Sequence, residues 1–273
     1  MTIQTINRMD VVFSKLRAEE RTALIPFLTV GDPDLETTLA IIAELETAGA
    51  DMLELGVPYS DPLADGPVIQ RASARALRGE VHLRTCMETA LQARQAGSSL
   101  PFILFSYYNP ILQMGLDTFF AELNAHEISG LIIPDLPIEE SEEMRRRSRE
   151  ACVNLIPLVA PTSSERIAKI VSDASGFIYC VSSLGVTGER SSFHSDVEAF
   201  IDSVRQATDL PVAVGFGIST GEQVARFAQI CDGVVIGSAI VRKIEEVIPL
   251  LENPESRNEG LLQIREFVSQ LKP

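Results

Sequence analysis

Short apolar runs recur at regular intervals along this chain, with helical patterns between them. Eight such runs are found: Leu24–Val30, Met52–Val57, Phe102–Tyr107, Gly130–Pro134, Leu155–Ala160, Phe177–Val181, Val212–Gly217 and Val234–Ile240. The segments between them show helical periodicity, as in Leu39, Ile42, Ala43 and Leu45. This alternation predicts parallel strands connected by crossover helices.

Eight strand–helix units within 273 residues predict an α/β fold, a closed (β/α)8 TIM barrel. No Pro/Gly/Ser-rich linker divides the chain, so we expect a single domain over residues 1–273. A doubly wound open sheet is the alternative. It usually has fewer strands, and no Gly-x-Gly-x-x-Gly turn follows the first run. Additional helices are expected over residues 10–17, 68–78 and 259–271.

The composition excludes several kinds of protein. A net charge of −15 argues against broad binding to nucleic acids or anionic membranes. No apolar run approaches the ~20 residues of a membrane span, and the first residues lack a signal-peptide core. The cysteines are widely spaced, which favours reduced thiols over a disulfide framework or a zinc site; they are Cys86, Cys152, Cys180 and Cys231. We therefore expect a soluble cytoplasmic protein.

Glu54 is a carboxylate within an apolar run. Alternation along the predicted second strand directs Met52, Glu54 and Gly56 toward the barrel interior, with residues 53, 55 and 57 toward the helices. Burial is expected to raise the pKa of Glu54, so that it can act as a general acid and base near neutrality. The alternative is a buried Glu satisfied by a structural partner.

Asp61 and Asp65 lie on the loop after this strand, which three prolines make rigid. At least one of them is expected to face Glu54 across a bound substrate. Two carboxylates in different environments can divide the work, one exchanging protons while the other stays ionised. The alternative role is hydrogen bonding within the turn, which suits Asp61 better than Asp65.

Glycines end the last two predicted strands, in Val214–Ser219 and Val235–Ala239. Barrels of this kind often hold a phosphate there, on exposed backbone N–H groups and a helix amino terminus. The alternative is that the glycines relieve crowding at the strand ends.

The segment Ser182–Ser192 is small and polar, with two glycines. We interpret it as a lid over the barrel mouth, in which Thr187 bonds a catalytic carboxylate on closure and Gly188 approaches the phosphate. An ordinary connection is the alternative.

The remaining titratable residues restrict the chemistry. None of the four lysines falls within a predicted strand, which disfavours a Schiff base on a barrel lysine. The three histidines are isolated from one another, without the clustering of a metal site. We therefore predict no metal and a reaction that depends on carboxylates.

Glu54–Pro67 is the longest of several motifs in which the chain resembles the tryptophan synthase alpha chain family. The others, in chain order, are Pro26–Pro33, Ile133–Pro137, Gly185–Gly188, Gly215–Ser219 and Gly237–Val241. The resemblance covers nearly the whole length. It implies a lyase of tryptophan biosynthesis that cleaves indole-3-glycerol phosphate to indole and glyceraldehyde 3-phosphate. Glu54 matches the general acid/base of the family, and Asp65 matches its second catalytic carboxylate.

The same matching assigns the binding residues. Those that match the indole pocket are Phe27, Phe105, Tyr107, Ile132 and Tyr179. Those that match the phosphate site are Gly188, Phe216, Gly217, Gly237 and Ser238. Two departures are present: Phe105 replaces a common aliphatic residue, and Ser183 stands where enterobacterial members carry an arginine that steadies the closed lid.

The resemblance also implies a partner. Alpha chains of this family assemble with a beta chain into an αββα complex, and the beta chain carries pyridoxal phosphate, so no cofactor is expected on this chain. The expected contact regions are the loops 58–67 and 105–115, with Asp135. Two other readings stay open: a stand-alone indole-3-glycerol phosphate lyase, and a non-catalytic barrel that binds a phosphorylated ligand and regulates a partner.

Overall fold

The computed structural model of the protein describes residues 6–181, 191–215 and 217–273. Within these ranges the strands are β1 Ala23–Thr29, β2 Leu53–Gly56, β3 Phe102–Phe105, β4 Ile128–Ile132, β5 Asn154–Leu155, β6 Leu158–Val159, β7 Ile178–Val181, β8 Val212–Gly215 and β9 Gly233–Ile236. The α-helices are α1 Arg8–Ala18, α2 Leu35–Thr47, α3 Pro67–Arg78, α4 Leu83–Gln95, α5 Tyr108–Met114, α6 Leu116–Ala125, α7 Glu142–Glu150, α8 Ile167–Val171, α9 Ser191–Arg205, α10 Gly221–Phe227, α11 Ser238–Leu251 and α12 Arg257–Ser269.

All strand pairs are parallel, in the order β5-β4-β3-β2-β1-β9-β8-β7-β6. The two outer members, β5 and β6, are consecutive in the chain, so one segment pairs with strands on both sides and closes the ring. Ile156 N donates to Leu131 O at 2.9 Å, and Tyr179 N donates to Pro157 O at 3.1 Å. The (β/α)8 prediction is therefore confirmed.

The fifth predicted strand, Leu155–Ala160, was wrong as one continuous strand. It is divided into β5 and β6 around Pro157, which has no N–H to donate to a ladder. The last two predicted strands also end earlier than expected, at Gly215 and Ile236. Gly237 leaves the extended region, with φ −103° and ψ −83°, and α11 begins at the next residue.

The predicted alternation along β2 is confirmed. Met52 belongs to the apolar cluster inside the barrel, whereas Leu53, Leu55 and Val57 belong to the larger cluster between the strands and the surrounding helices. Glu54 pairs in register with Phe27 of β1 and Ile103 of β3. Its side chain therefore shares the inward direction of Met52.

Helix α1 closes the amino-terminal end of the barrel. Its buried residues Met9, Phe13 and Leu16 join the interior cluster. Asn7 caps the helix by accepting from Met9 N, and its Nδ2 donates to Ser129 O at 2.7 Å. Because this end is filled, the opening at the carboxyl ends of the strands is the place to look for a ligand.

The three additional helices of the sequence analysis are present as α1, α3 and α12, which confirms that prediction. Most of the predicted lid, residues 182–190, lies outside the described residues. Its last two residues, Ser191 and Ser192, are the first residues of α9.

Candidate active site

A cavity of about 580 Å³ opens at the carboxyl ends of the strands. Glu54 of β2 and Asp65 of the following loop both line it. Gly237 and Ser238, at the start of α11, lie at the same cavity. This is the position at which barrels of this architecture carry their reactive groups.

A second cavity, of about 430 Å³, lies between α7 and α8. Its two arginines are already paired, Arg145 with Asp173 and Arg166 with Glu139. Neither Glu54 nor Asp65 lines it. The first cavity is therefore the candidate active site.

Glu54 is buried among the strands of the barrel. Its side chain is 1% exposed, and Oε1 has no hydrogen-bond partner in the part of the chain that the structure describes. Burial alone raises the pKa of Glu54 to about 8. A carboxyl group with this pKa can both donate and accept a proton near neutral pH.

Tyr179 lies beside Glu54 in the cavity wall. Its phenol is buried, and burial together with the charge of Glu54 raises the pKa of Tyr179 well above its usual value. It therefore stays neutral when Glu54 ionises.

Asp65 is more solvated and has a defined partner. The hydroxyl of Tyr107 donates to Asp65 Oδ2 at 3.2 Å and accepts from Ala64 N at 2.9 Å. The ring of Tyr59 stacks on Tyr107, with 4.8 Å between centroids. Partial burial raises the pKa of Asp65, while the hydrogen bond from Tyr107 opposes that rise. The network fixes the side chain and favours its ionised form.

Asp61 plays a different part from Asp65. It is exposed, accepts a hydrogen bond from the Ser60 hydroxyl at 2.5 Å, and does not line the cavity. The structure therefore brings only Asp65 of the two aspartates to Glu54.

Two phenylalanines form an aromatic wall of the cavity. Phe27 and Phe105 meet edge to face, with 5.7 Å between centroids and 85° between planes. Gly56 makes this possible, because a Cβ there would lie 2.4 Å from Phe27 Cζ. Gly56 of the Glu54 motif thus leaves the space that the Phe27 ring occupies in the aromatic wall.

The strand-end glycines fall into two groups. At Gly215 a Cβ would lie 2.6 Å from the Tyr179 hydroxyl oxygen, so this glycine relieves crowding. At Gly217, with φ +64°, nothing lies within 4 Å of a Cβ, and at Gly237 a Cβ would make only ordinary contact with Phe27 at 3.6 Å. Crowding does not explain the last two.

Gly237 leads into α11, a helix of 14 residues whose first residue is Ser238. The first N–H groups of a helix have no partner within it, and the helix dipole favours an anion at that end. No side chain caps this terminus. The arrangement suits a phosphate group at the edge of the cavity.

The predicted site residues divide into three sets. Those lining the cavity with Glu54 and Asp65 are Phe27, Phe105, Tyr179, Gly217, Gly237 and Ser238. Ile132 and Tyr107 do not line it: Ile132 is wholly buried in the interior cluster, and Tyr107 lies behind Asp65. Thr187, Gly188 and Phe216, like Ser183, lie outside the described residues.

Sequence reasoning missed several apolar lining residues, among them Ile69, Leu158 and Val235. Val235 belongs to the interior cluster, so the alternation that placed Glu54 would also have placed it. Ile69 lies on α3, and helical periodicity does not show which turn of an added helix reaches the mouth. Leu158 follows the irregular Pro157 segment, where alternation gives no reliable direction.

The described residues offer no evident alternative chemistry. None of the four lysines lines the cavity, and no group of three or more His, Cys, Asp or Glu side chains in the described ranges is placed to hold a metal. None of the helices described there is long and apolar enough to cross a bilayer.

The fold and the site define a (β/α)8 barrel with paired carboxylates at its mouth, and comparison with known proteins identifies the family. The family model described as tryptophan synthase alpha chain matches residues 13–272. The alpha chain of Geobacillus sp. (strain WCH70) is 51% identical over 247 residues, 90% of this chain and 94% of that protein. That of Bacillus subtilis (strain 168) is 50% identical over 243 residues, 89% and 91% of the two chains.

Solved structures agree. Tryptophan synthase subunit alpha from Legionella pneumophila str. Paris superimposes with a TM-score of 0.85 at 35% identity, covering 97% of this chain and 99% of that chain. Mycobacterium tuberculosis tryptophan synthase superimposes with a TM-score of 0.85 at 37% identity, covering 97% of this chain and 97% of that chain. The chain belongs to the tryptophan synthase alpha chain family, whose role is that of the alpha subunit in tryptophan biosynthesis.

Proposed function

We propose that this chain is a lyase that cleaves indole-3-glycerol phosphate to indole and glyceraldehyde 3-phosphate. The observation that carries the proposal is the buried carboxyl of Glu54, whose Oε1 has no partner among the described residues, in one cavity with Asp65 and the start of α11. These three features match the needs of the reaction: a proton donor, a fixed negative charge and a phosphate site.

The cavity supports a retro-aldol mechanism. Glu54, protonated near neutral pH, delivers a proton to indole C3 and leaves a positive charge at the ring nitrogen. Asp65, whose ionised form the hydrogen bond from Tyr107 favours, stabilises that charge. The side-chain hydroxyl next to C3 then loses its proton to the Glu54 carboxylate. The carbon–carbon bond breaks, its electron pair returns to the ring, and the aldehyde and indole are released.

The remaining lining residues would orient the substrate. Phe27, Phe105 and Tyr179 provide aromatic surface for the indole ring, and Gly217, Gly237 and Ser238 would hold the phosphate. We also propose that Gly188 and Phe216 complete the phosphate site and that Thr187 bonds a catalytic carboxylate on closure. Ile132 and Tyr107 would support this pocket from behind.

We propose a tryptophan synthase beta chain as the partner, in an αββα complex, with pyridoxal phosphate held by the beta chain. The loops assigned to the contact carry exposed apolar residues: Leu63 is 88% exposed and Leu112 is 51% exposed. Asp135 accepts from Tyr108 N at 2.9 Å, which links two of these regions. The cytoplasm is the expected location, and free Cys86, Cys180 and Cys231, all buried, fit a reducing compartment.

The stand-alone lyase shares this site and differs only in its independence of a beta chain. A non-catalytic regulatory barrel is disfavoured because both carboxylates line the cavity. No specific observation favours either reading over the subunit.

The test is an indole-release assay on the purified chain, with indole-3-glycerol phosphate, alone and with a beta chain of the family. We expect slow cleavage by the chain alone and strong activation by the beta chain. Fast cleavage that the beta chain leaves unchanged would indicate the stand-alone lyase. No cleavage under either condition would overturn the proposal.

A further inference from the structure

A charged cluster joins α3 to α11 on the outside of the candidate active site. Both oxygens of Glu245 in α11 accept from Arg71 of α3, at 2.9 and 2.7 Å. Arg75, one turn further along α3, donates to Glu245 Oε1 at 2.6 Å. We call Arg71, Arg75 and Glu245 the interhelical clamp.

The clamp is anchored to the barrel through Asp32, on the loop after β1. Arg75 donates to both oxygens of Asp32, at 2.6 and 2.9 Å, and Asp32 is 3% exposed. Bidentate pairing fixes the planes of both groups, so Arg75 sets the direction of α3 relative to the barrel and to α11 at once.

Beneath the clamp the two helices meet on a small apolar cluster. Ala72 of α3 and Val241 of α11 are buried against Phe27, and Ile69 packs beside them. Phe27 and Ile69 also line the cavity. The position of α3 on α11 therefore shapes the aromatic wall as well.

The two clamped helices begin at different parts of the candidate active site, α3 next to Asp65 and α11 at the proposed phosphate site. Helix α3 follows Asp65 and Gly66, and the Gln70 amide donates to Asp65 O at 2.8 Å, so Asp65 moves with α3. No side chain caps the start of α3. Helix α11 begins at Ser238, where the phosphate would bind.

We propose that the interhelical clamp is a positioning device for cleavage, fixing Asp65 relative to the phosphate end of α11. It touches no substrate and acts through Asp65 and the start of α11. This inference rests on the proposed function for its kinetic consequence, but its structural consequence is independent of any activity.

The test compares Glu245→Gln with a matched control, Glu44→Gln. Glu245 and Glu44 have side chains 24% and 23% exposed, and both pair across a helix–helix contact, Glu245 with two arginines and Glu44 with one. Glu44 of α2 meets Arg265 of α12 at 3.3 Å and does not line the cavity. Both changes remove one charge at constant size, so a general loss of interhelical pairing affects them alike.

Three quantities are measured in both variants: turnover of indole-3-glycerol phosphate at saturation, the Kd for glycerol 3-phosphate, and amide hydrogen exchange over residues 67–78. In Glu245→Gln we expect turnover to fall about tenfold and exchange to accelerate several-fold. The Kd should stay within twofold, because none of the residues proposed to hold the phosphate belongs to the clamp. In Glu44→Gln all three should stay within twofold.

Turnover of Glu245→Gln within twofold of the unaltered chain would overturn the proposal, as would unchanged exchange over 67–78 or an equal loss in Glu44→Gln. If Glu245→Gln does not fold, Arg71→Gln takes its place. Arg71 is 53% exposed, and its loss leaves Arg75 paired, so we expect about a threefold loss of turnover. Absence of cleavage by the unaltered chain would refute the proposed function instead, and the exchange measurement would still decide on the clamp.

Discussion

Strand β2 and the loop after it deliver two carboxylates to one cavity by opposite means. Glu54 lies on a strand paired on both sides, is 1% exposed, and its Oε1 has no partner among the described residues. Asp65 is itself half-buried, lies on a largely exposed loop, and accepts a hydrogen bond from Tyr107. The first is positioned by backbone pairing and the second by side chains.

This difference separates their protonation. Desolvation acts on Glu54 without opposition and raises its pKa to about 8, whereas Tyr107 opposes the rise at Asp65. The two carboxyl groups therefore lie in different environments, one shaped by burial alone and the other also by a hydrogen bond that favours its ionised form, as a division between proton exchange and charge stabilisation requires.

The largest expected effect comes from removing the titratable proton of Glu54. Glu54→Gln keeps the size and polarity of the side chain but cannot exchange a proton, so cleavage of indole-3-glycerol phosphate should fall about a thousandfold, or about 4 kcal/mol in transition-state stabilisation. Indole release measured at saturating substrate tests this. Binding of glycerol 3-phosphate is the control and should not change, because the phosphate lies at α11. Turnover within tenfold of the unaltered chain would contradict the role of Glu54.

The same substitution should change how stability depends on pH. The folded pKa of Glu54, about 8, lies above its ordinary value of 4.5, so the folded state holds a proton that the unfolded state releases. The contribution of this proton to the free energy of unfolding is fully present below about pH 4.5 and is lost as pH rises toward 8. The slope of that loss is about 1.4 kcal/mol per pH unit. Between pH 5.5 and 7.5 the unaltered chain should thus lose about 2 to 3 kcal/mol relative to Glu54→Gln.

Urea unfolding of both proteins at these two pH values measures the difference. Other groups with raised pKa values, such as Asp32 and Asp51, occur in both proteins and cancel in the comparison. Parallel pH dependences for the two proteins would show that Glu54 is not held protonated, and would remove the contrast with Asp65.

The barrel and the position of Glu54 could be predicted because both follow from periodicity. Alternation in β2 requires Glu54 to share a face with Met52, and strand–helix repetition requires a ring. The division of the fifth strand could not be read in the same way, since Leu155–Ala160 is continuously apolar and only pairing shows that Pro157 interrupts the ladder.

The support of Asp65 was harder to predict for a related reason. Tyr107 and Asp65 are 42 residues apart, and their contact depends on how a loop folds back onto the end of β3. The clamp joins Asp32, α3 and α11 across as much as 174 residues. Surface charges at helical spacing usually indicate solvated faces, so nothing local distinguishes Arg75 from other arginines. Loop and interhelical contacts of this kind need the tertiary structure.

The smallest expected effect concerns the side-chain support of Asp65. Tyr107→Phe keeps the ring that stacks on Tyr59 but removes the hydroxyl that donates to Asp65 Oδ2. That hydrogen bond favours the ionised carboxylate, so its loss should raise the pKa of Asp65 and move the acid limb of the pH–rate profile to higher pH. Because Asp65 is only partly buried, turnover on the plateau should fall less than about tenfold, equivalent to about 1.4 kcal/mol.

The measurement is indole release from pH 5 to 9 for both proteins. An acid limb that stays in place would mean that the loop backbone alone positions Asp65 and keeps it ionised. Both carboxylates would then be positioned by the backbone, and they would differ only in how deeply they are buried.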